Sequence, residues 1–220
     1  MASDATPAAA PQAHGTSIYG PFSQQLSQVM DLIVERIETF DAEQRSTTGE
    51  GAYEHFNHRI KSEASMREKC ERKGLPPTPH SALVDIHDAI GCRIVCRFVD
   101  DMYALADHLR SQPGFSVIEE KDYVRHPKPN GYRSYHMILD ITTPFIDAAG
   151  RTPGHYPAEI QLRTIAMDSW AALEHQVRYK KDIGHANAVI VTQELKRCAD
   201  ELASCDLTMQ TIRNLMNEDR

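Results

Sequence analysis

Apolar residues near the start of the chain fall at helical intervals. Phe22, Leu26, Val29, Ile33, Ile37 and Phe40 recur every three or four positions, which places them along one face of an amphipathic helix. The pattern predicts an N-terminal helix over 21–45. Before it, residues 1–20 are rich in Ala, Pro and Ser without any period, the composition of a disordered tail. The Ser-Thr-Thr-Gly-Glu-Gly stretch at 46–51 reads as a loop. From Tyr53 to Lys61 the pattern is that of an extended segment. A helix then runs from Ser62 to Lys73, stopped by Gly74 and the Pro76-Pro77 pair. Cys92 to Val99 is apolar and β-branched, hence a strand. Asp100 is placed to cap a helix through Ser111, and Pro113-Gly114 ends it. Phe115 to Tyr123 and Tyr135 to Ile141 are further strands, and 142–156 is a proline- and glycine-containing loop. Ala158 to Arg163 is a strand, with Thr164 capping a helix that reaches Lys180.

The last segment, about 187–217, reads as one long helix or a helix pair. Val191, Leu195, Cys198, Leu202, Cys205, Met209, Ile212 and Met216 alternate spacings of four and three, a heptad seam. Such a seam packs either on the chain's own core or on another subunit. The elements together define an α+β fold: a mixed sheet of about five strands flanked by helices, with a helical C-terminal arm over 183–220.

Composition narrows the class. The chain has 220 residues, 41% of them hydrophobic and 25% charged, with a net charge of −7. That is an ordinary globular balance, and its acidity argues against a protein that coats DNA. The cysteines Cys70, Cys92, Cys96, Cys198 and Cys205 form no CxxC pair, which suits reduced thiols. The N-terminal stretch has neither a basic n-region nor an apolar h-region. No window approaches the roughly 18 apolar residues of a membrane span. These features predict a cytoplasmic protein with no membrane partner.

The candidate chemistry lies where polar side chains share strand faces. Glu159, Gln161 and Arg163 alternate with Ala158, Ile160 and Leu162. Arg93 and Arg97 share a face opposite Ile94, Cys96 and Phe98, and Arg59 and Lys61 flank Ile60. For any single strand, a solvated outer face is the better explanation of such alternation, and three such strands together weigh against it. Ser65, Lys69 and Arg72 form one stripe of the helix that Lys61 precedes, and a helix N-terminus with cations and a hydroxyl suits a polyphosphate. Neither GxGxxG nor GxxxxGK followed by Ser or Thr occurs, so phosphates would be held by side chains. Asp88 and Glu159 are two carboxylates able to hold Mg²⁺ if the fold brings them together. In KPNGYRSYH, 128–136, Gly131 permits a sharp turn. There Tyr132 and Tyr135 can offer flat faces to a base, and Arg133 and His136 can meet phosphates. The histidines show no zinc spacing: Glu174-His175 is not HExxH, and His87-Asp88 lacks the further ligands of an HD phosphohydrolase.

The segments RIKSEASMREKCERKG, DAIGCRIVCRFVDDMY, KDYVRHPKPNGYRSYH and EIQLRTIAMDSWAALEHQVRYK together resemble, in order from Tyr53 to Lys180, the synthetase domain of the RelA/SpoT family in its short single-domain form. The resemblance implies a nucleotidyltransferase-like synthetase domain over 46–182. It implies transfer of pyrophosphate from ATP to the 3′-hydroxyl of GDP or GTP, with release of AMP. By motif position, Asp88 and Glu159 match the Mg²⁺ carboxylates, and Glu159 also the group that helps deprotonate the hydroxyl. Arg59 and Arg93 match the pair that sandwiches adenine, and Lys61, Ser65, Lys69 and Arg72 the contacts to ATP phosphates. Tyr132 matches the tyrosine that stacks on guanine. Lys121, Lys128 and His136 match groups near the acceptor's phosphates, Gln161 a ribose or phosphate contact, and Asp168 a polar group on the guanine edge. The family also implies a homotetramer through terminal helices, with RNA as a possible regulator. No hydrolase domain precedes residue 53, so synthesis without degradation is expected. Related short proteins modify tRNA ends or adenosine nucleotides instead, and a non-catalytic nucleotide- or RNA-binding regulator is a third reading.

Overall fold

The computed structural model describes residues 17–178 and 185–218. Five strands, β1 (His55–Ile60), β2 (Ile90–Cys96), β3 (Phe115–Asp122), β4 (Tyr135–Thr143) and β5 (Gly154–Thr164), form one sheet in the order β1-β2-β5-β4-β3. β2 and β5 run parallel, and the other pairs are antiparallel. The helices are α1 (Ser23–Thr48), α2 (Glu63–Lys73), α3 (Val99–Ser111), α4 (Ile165–Arg178) and α5 (His185–Glu218). A single π-turn, Ser81–Asp85, was not foreshadowed by the sequence pattern.

α1 buries Leu26, Val29, Ile33, Ile37 and Phe40, the expected apolar stripe. It packs with α3 on the sheet face that carries Cys92, Ile94 and Ile160, and Cys92 Sγ lies 3.8 Å from Met30 Sδ. The helix runs three residues beyond the expected end at 45, into the supposed loop. Thr47 and Thr48 donate their hydroxyls to the carbonyls of Glu43 and Gln44 at 2.8 and 2.9 Å, so these weak helix formers bond along the helix. Gly49, at φ +81°, then closes it in the left-handed conformation that favours glycine.

Residues 1–16 of the expected tail lie outside the described residues, but its end is part of the core. Ile18 and Tyr19 are buried. Tyr19 donates its hydroxyl to the Lys61 carbonyl at 2.5 Å, and Ile18 N–H donates to Glu63 at 3.2 Å.

α2 starts where Ser62 Oγ accepts the Ser65 N–H at 3.3 Å, and Gly74 ends it, as expected. Asp100 does not cap α3. The helix begins at Val99, two residues before the start that an Asp100 cap would set, which puts Asp100 inside the first turn where its charge complements the helix dipole. Its N–H is satisfied instead by Gln210 of α5, at 3.1 Å. Thr164 does cap α4, accepting the Met167 N–H at 3.2 Å.

The expected loop at 142–156 is shorter than its proline and glycine content suggests, because β4 continues to Thr143 and β5 begins at Gly154. Gly154 is obligatory, since a Cβ there would lie 2.3 Å from the Phe145 carbonyl oxygen. The tip is organised by the buried Asp147, whose carboxylate accepts the N–H groups of Ala149, Arg151 and His155 and the Arg151 guanidinium.

The C-terminal arm is a single helix in the described residues. Its heptad seam divides: Val191, Leu195 and Leu202 are half-buried, and Leu202 lies with Met167 and Trp170 of α4, while the rest of the seam faces outward. Ala199 and Gln210 are buried, whereas Cys198, Cys205, Met209, Ile212 and Met216 are exposed. Polar contacts fasten the helix to the body: Trp170 Nε1 donates to the Leu195 carbonyl at 2.9 Å, Thr164 to Asp206 at 2.6 Å, and Arg213 to Asp101 at 2.5 Å.

Burial alone would raise the Asp147 pKa, but the backbone N–H donors outweigh it and hold the carboxyl below its ordinary 3.8. A depressed folded-state pKa stabilises above the unfolded value and loses that contribution as pH falls through the lowered one. Asp147→Ala is expected to cost about 2 kcal/mol and lower Tm by roughly 5 °C at neutral pH. Denaturant melts should show this gap shrinking in acid below about pH 4.

Candidate active site

The face of the sheet opposite α1 and α3 carries the polar residues. Paired residues on neighbouring strands project to the same side. One row runs Asn57, Arg93, Gln161, His136 and Lys121 across all five strands. The next runs Arg59, Gly91 and Glu159 across β1, β2 and β5. A cleft over these rows is lined by Arg59, Lys61, Asp88, Arg93, Glu159 and Gln161. Gly91 forms its floor, and a Cβ added there would meet only the Arg59 carbonyl oxygen, at 3.9 Å.

Asp88 reaches the cleft from the turn before β2. Its Oδ2 accepts Lys61 Nζ at 3.0 Å and also Lys69 Nζ, while Oδ1 is buried without a partner. Burial opposes ionisation, but the hydrogen bonds from Lys69 and Lys61 prevail and hold the carboxyl below the usual range. Glu159 Oε1 lies 3.6 Å from His136 Nδ1. The neighbouring His136 ring depresses the Glu159 pKa against the opposing effects of burial and of the Asp88 charge. Both carboxylates therefore face the cleft ionised at neutral pH, close enough to feel each other. Burial, then the nearby Arg163 cation, lowers the Arg93 pKa.

Beyond Gln161 lies a second group. Tyr132 O–H meets His136 Nε2 at 2.9 Å, and Arg163 Nη2 donates to the same oxygen at 3.0 Å. Arg163 Nη1 donates to Asp168 Oδ1 at 2.9 Å. Lys128 holds its ammonium 4.7 Å from the Tyr123 ring centroid and 4.8 Å from that of Tyr132. Gly131 sets this turn at φ +92°, so close to α5 that a Cβ would lie 2.6 Å from Ala199 Cβ.

Several residues expected from sequence stand apart from the cleft lining. Ser65 is tied to the Ser62 hydroxyl at 3.0 Å, Arg72 is two-thirds exposed and 3.9 Å from Glu68, and Lys121 pairs with Glu119 at 2.8 Å. Two readings of the KPNGYRSYH segment fail. Arg133 is spent on the Val124 carbonyl and on Asp200, and Tyr135 is buried beneath the sheet with its hydroxyl bonded to Arg110. Arg163 shares the strand face of Glu159 and Gln161 without a motif to give it a role, and Asn57 shares that of Arg59. Alternation was their only signal.

The residues fit a hard divalent cation. Asp88 offers an unshared carboxylate oxygen beside Glu159, and the donors are oxygens, as magnesium requires. Among the described residues, no cluster of three or more His, Cys, Asp or Glu could hold an ion unaided.

A mixed sheet with helices over one face and such a cleft on the other is a nucleotidyltransferase-like synthetase fold. Residues 58–184 match the family described as the region found in RelA/SpoT proteins, and the chain belongs to that family. Among its relatives, the GTP pyrophosphokinase YwaC of Bacillus subtilis is 36% identical over 78% of this chain and 79% of its own length. The GTP pyrophosphokinase YjbM of the same species is 34% identical over 75% and 74%. Small alarmone synthetase 1 from Bacillus subtilis, solved with its product pppGpp, superposes with a TM-score of 0.73 at 28% identity, covering 89% of this chain and 96% of that one.

Gly91→Val is expected to fill the cleft floor without disturbing the sheet, since a β-branched residue suits a strand. Melting should move by less than about 4 °C. Affinity for a non-hydrolysable ATP analogue, measured by calorimetry, should fall about tenfold or more.

Proposed function

We propose that this protein is a (p)ppGpp synthetase, which transfers pyrophosphate from ATP to the 3′-hydroxyl of GDP or GTP and releases AMP. The observation that carries the reading is the cleft itself. Two ionised carboxylates, Asp88 and Glu159, meet there with Arg59, Arg93 and Lys61, and Lys69 reaches in to Asp88. Such a concentration of opposite charge around open space suits a polyphosphate and its counterion. Relatives named GTP pyrophosphokinase and a structural neighbour holding pppGpp point the same way.

In this reading Arg59 and Arg93 sandwich the adenine, their guanidinium planes stacking on the ring. Lys61 and Lys69 exchange Asp88 for ATP phosphates, with Ser65 and Arg72 completing the grip. Asp88, released from the lysines, and Glu159 hold Mg²⁺, which when bound neutralises phosphate charge and favours in-line attack. Tyr132 stacks on guanine while Asp168 accepts from its edge. Lys121, Lys128 and His136 take the acceptor phosphates, and Gln161 the ribose or a phosphate. The 3′-oxygen bonds to the β-phosphorus, the bridge to the α-phosphate breaks, and AMP departs. Glu159 accepts the hydroxyl proton. Its depressed pKa makes it a weak base, so orientation of the hydroxyl is the larger part of its work.

Self-association as a homotetramer is part of the proposal. The exposed Met209, Ile212 and Met216 of α5 form an apolar stripe that a second copy would cover. Light scattering at micromolar concentration should show the assembly, and a monomer there refutes it.

The decisive assay supplies ATP, Mg²⁺ and GDP or GTP separately and follows AMP and the pyrophosphorylated nucleotide. Asp88→Asn and Glu159→Gln are each expected to lower turnover by a factor of about 10³ or more while part of the ATP-analogue affinity survives. Near-normal turnover in both variants would sink the assignment. Label appearing on tRNA or an adenosine nucleotide, and not on guanosine nucleotides, would redirect it.

A further inference from the structure

One cation joins the two side chains assigned to the acceptor base. Arg163, near the end of β5, is only 6% exposed. Its fork spans from the Asp168 carboxylate to the Tyr132 hydroxyl, and its Nε is buried with no partner. Stability explains this arrangement poorly. Taking a guanidinium out of water is costly, and an apolar residue of similar volume often serves a fold as well or better. Nor do the partners depend on it: Tyr132 retains His136, and Asp168, with a third of its side chain exposed, can turn to water. What arginine alone supplies is geometry. A planar fork with fixed N–H directions holds a ring and a carboxylate at one spacing and angle.

We propose that Arg163 is a positioning residue that sets selectivity for guanine, by locking the Asp168 carboxylate at the edge of a base stacked on Tyr132. The inference rests on the synthetase reading of Tyr132 and Asp168. Guanine presents N1–H and the N2 amino group side by side, and a fixed carboxylate accepts both. Adenine turns the N1 lone pair toward the same oxygens and is repelled. A carboxylate free to rotate into solvent discriminates less. Arg163 touches neither base nor reacting atoms, and acts through its two partners.

The test uses the full chain with Arg163→Met and Arg163→Lys. Thermal melts, calorimetric titration with GDP and with a non-hydrolysable ATP analogue, and steady-state rates with GDP or ADP as acceptor are measured for each. For Arg163→Met, Tm should match or exceed wild type, while GDP affinity falls and acceptor KM rises about tenfold. Preference for GDP over ADP should drop by a similar factor, about tenfold, with ATP-analogue affinity held within about twofold. Arg163→Lys, keeping the charge but not the fork, should fall between. Wild-type GDP affinity and preference in Arg163→Met overturn the proposal, and so does an equal loss of both nucleotides with a lowered Tm. If wild type binds GDP but transfers nothing, the synthetase reading fails and the binding titrations still decide the role of Arg163. Absence of any guanosine-nucleotide binding by wild type overturns both.

Discussion

The register of β5 governs everything on the open face. Its inward side chains, Ala158, Ile160 and Leu162, are wholly buried between parallel β2 and antiparallel β4. Strand side chains alternate with a period of two, so a slip of one residue would drive Glu159 and Gln161 into the core and lift three apolar residues into water. Burying unpaired charge costs several kcal/mol per ion. The hydrophobic face thus fixes the position of the polar one, and the alignment of the cleft side chains follows from packing on the other side of the sheet.

The cleft gathers like charges that would repel if left bare, and the protein manages this with internal partners. Lys61 and Lys69 converge on Asp88, His136 sits beside Glu159, and Arg163 is balanced by Asp168. In the proposed reading, ATP phosphates replace Asp88 at Lys61 and Lys69, whereas the Arg163–Asp168 pair stays closed. The charges are kept in place and ionised without being permanently consumed, which lowers the reorganisation needed on binding.

Where one interaction dominates locally, the sequence reveals it. The stripe of α1, the Thr164 cap, the Gly74 stop and the alternation of β5 were all legible, because each arises from neighbours in the chain. Asp100 was misread because a good capping residue also suits the first turn, and the choice fell to Gln210, 110 positions away. The extension of α1 depended on threonine hydroxyls bonding backward, which composition reads as loop. In the site, Arg59, Lys61, Asp88, Arg93, Glu159 and Gln161 converge as motif position implied. The fate of Arg133 was invisible, since Asp200 reaches it from a helix whose docking no local pattern encodes. Arg163 lay in plain view, but only contact with Tyr132 and Asp168 gives it meaning.

The absence of a side chain at Gly131 makes α5 and the Tyr132 turn mechanically one piece. Backbone meets helix there with no compressible layer between, and the Arg133–Asp200 pair pins the next residue. Packed interiors transmit displacement instead of absorbing it. A 34-residue helix is braced at that point, so the placement of its outward apolar flank and that of the Tyr132 ring are geometrically tied.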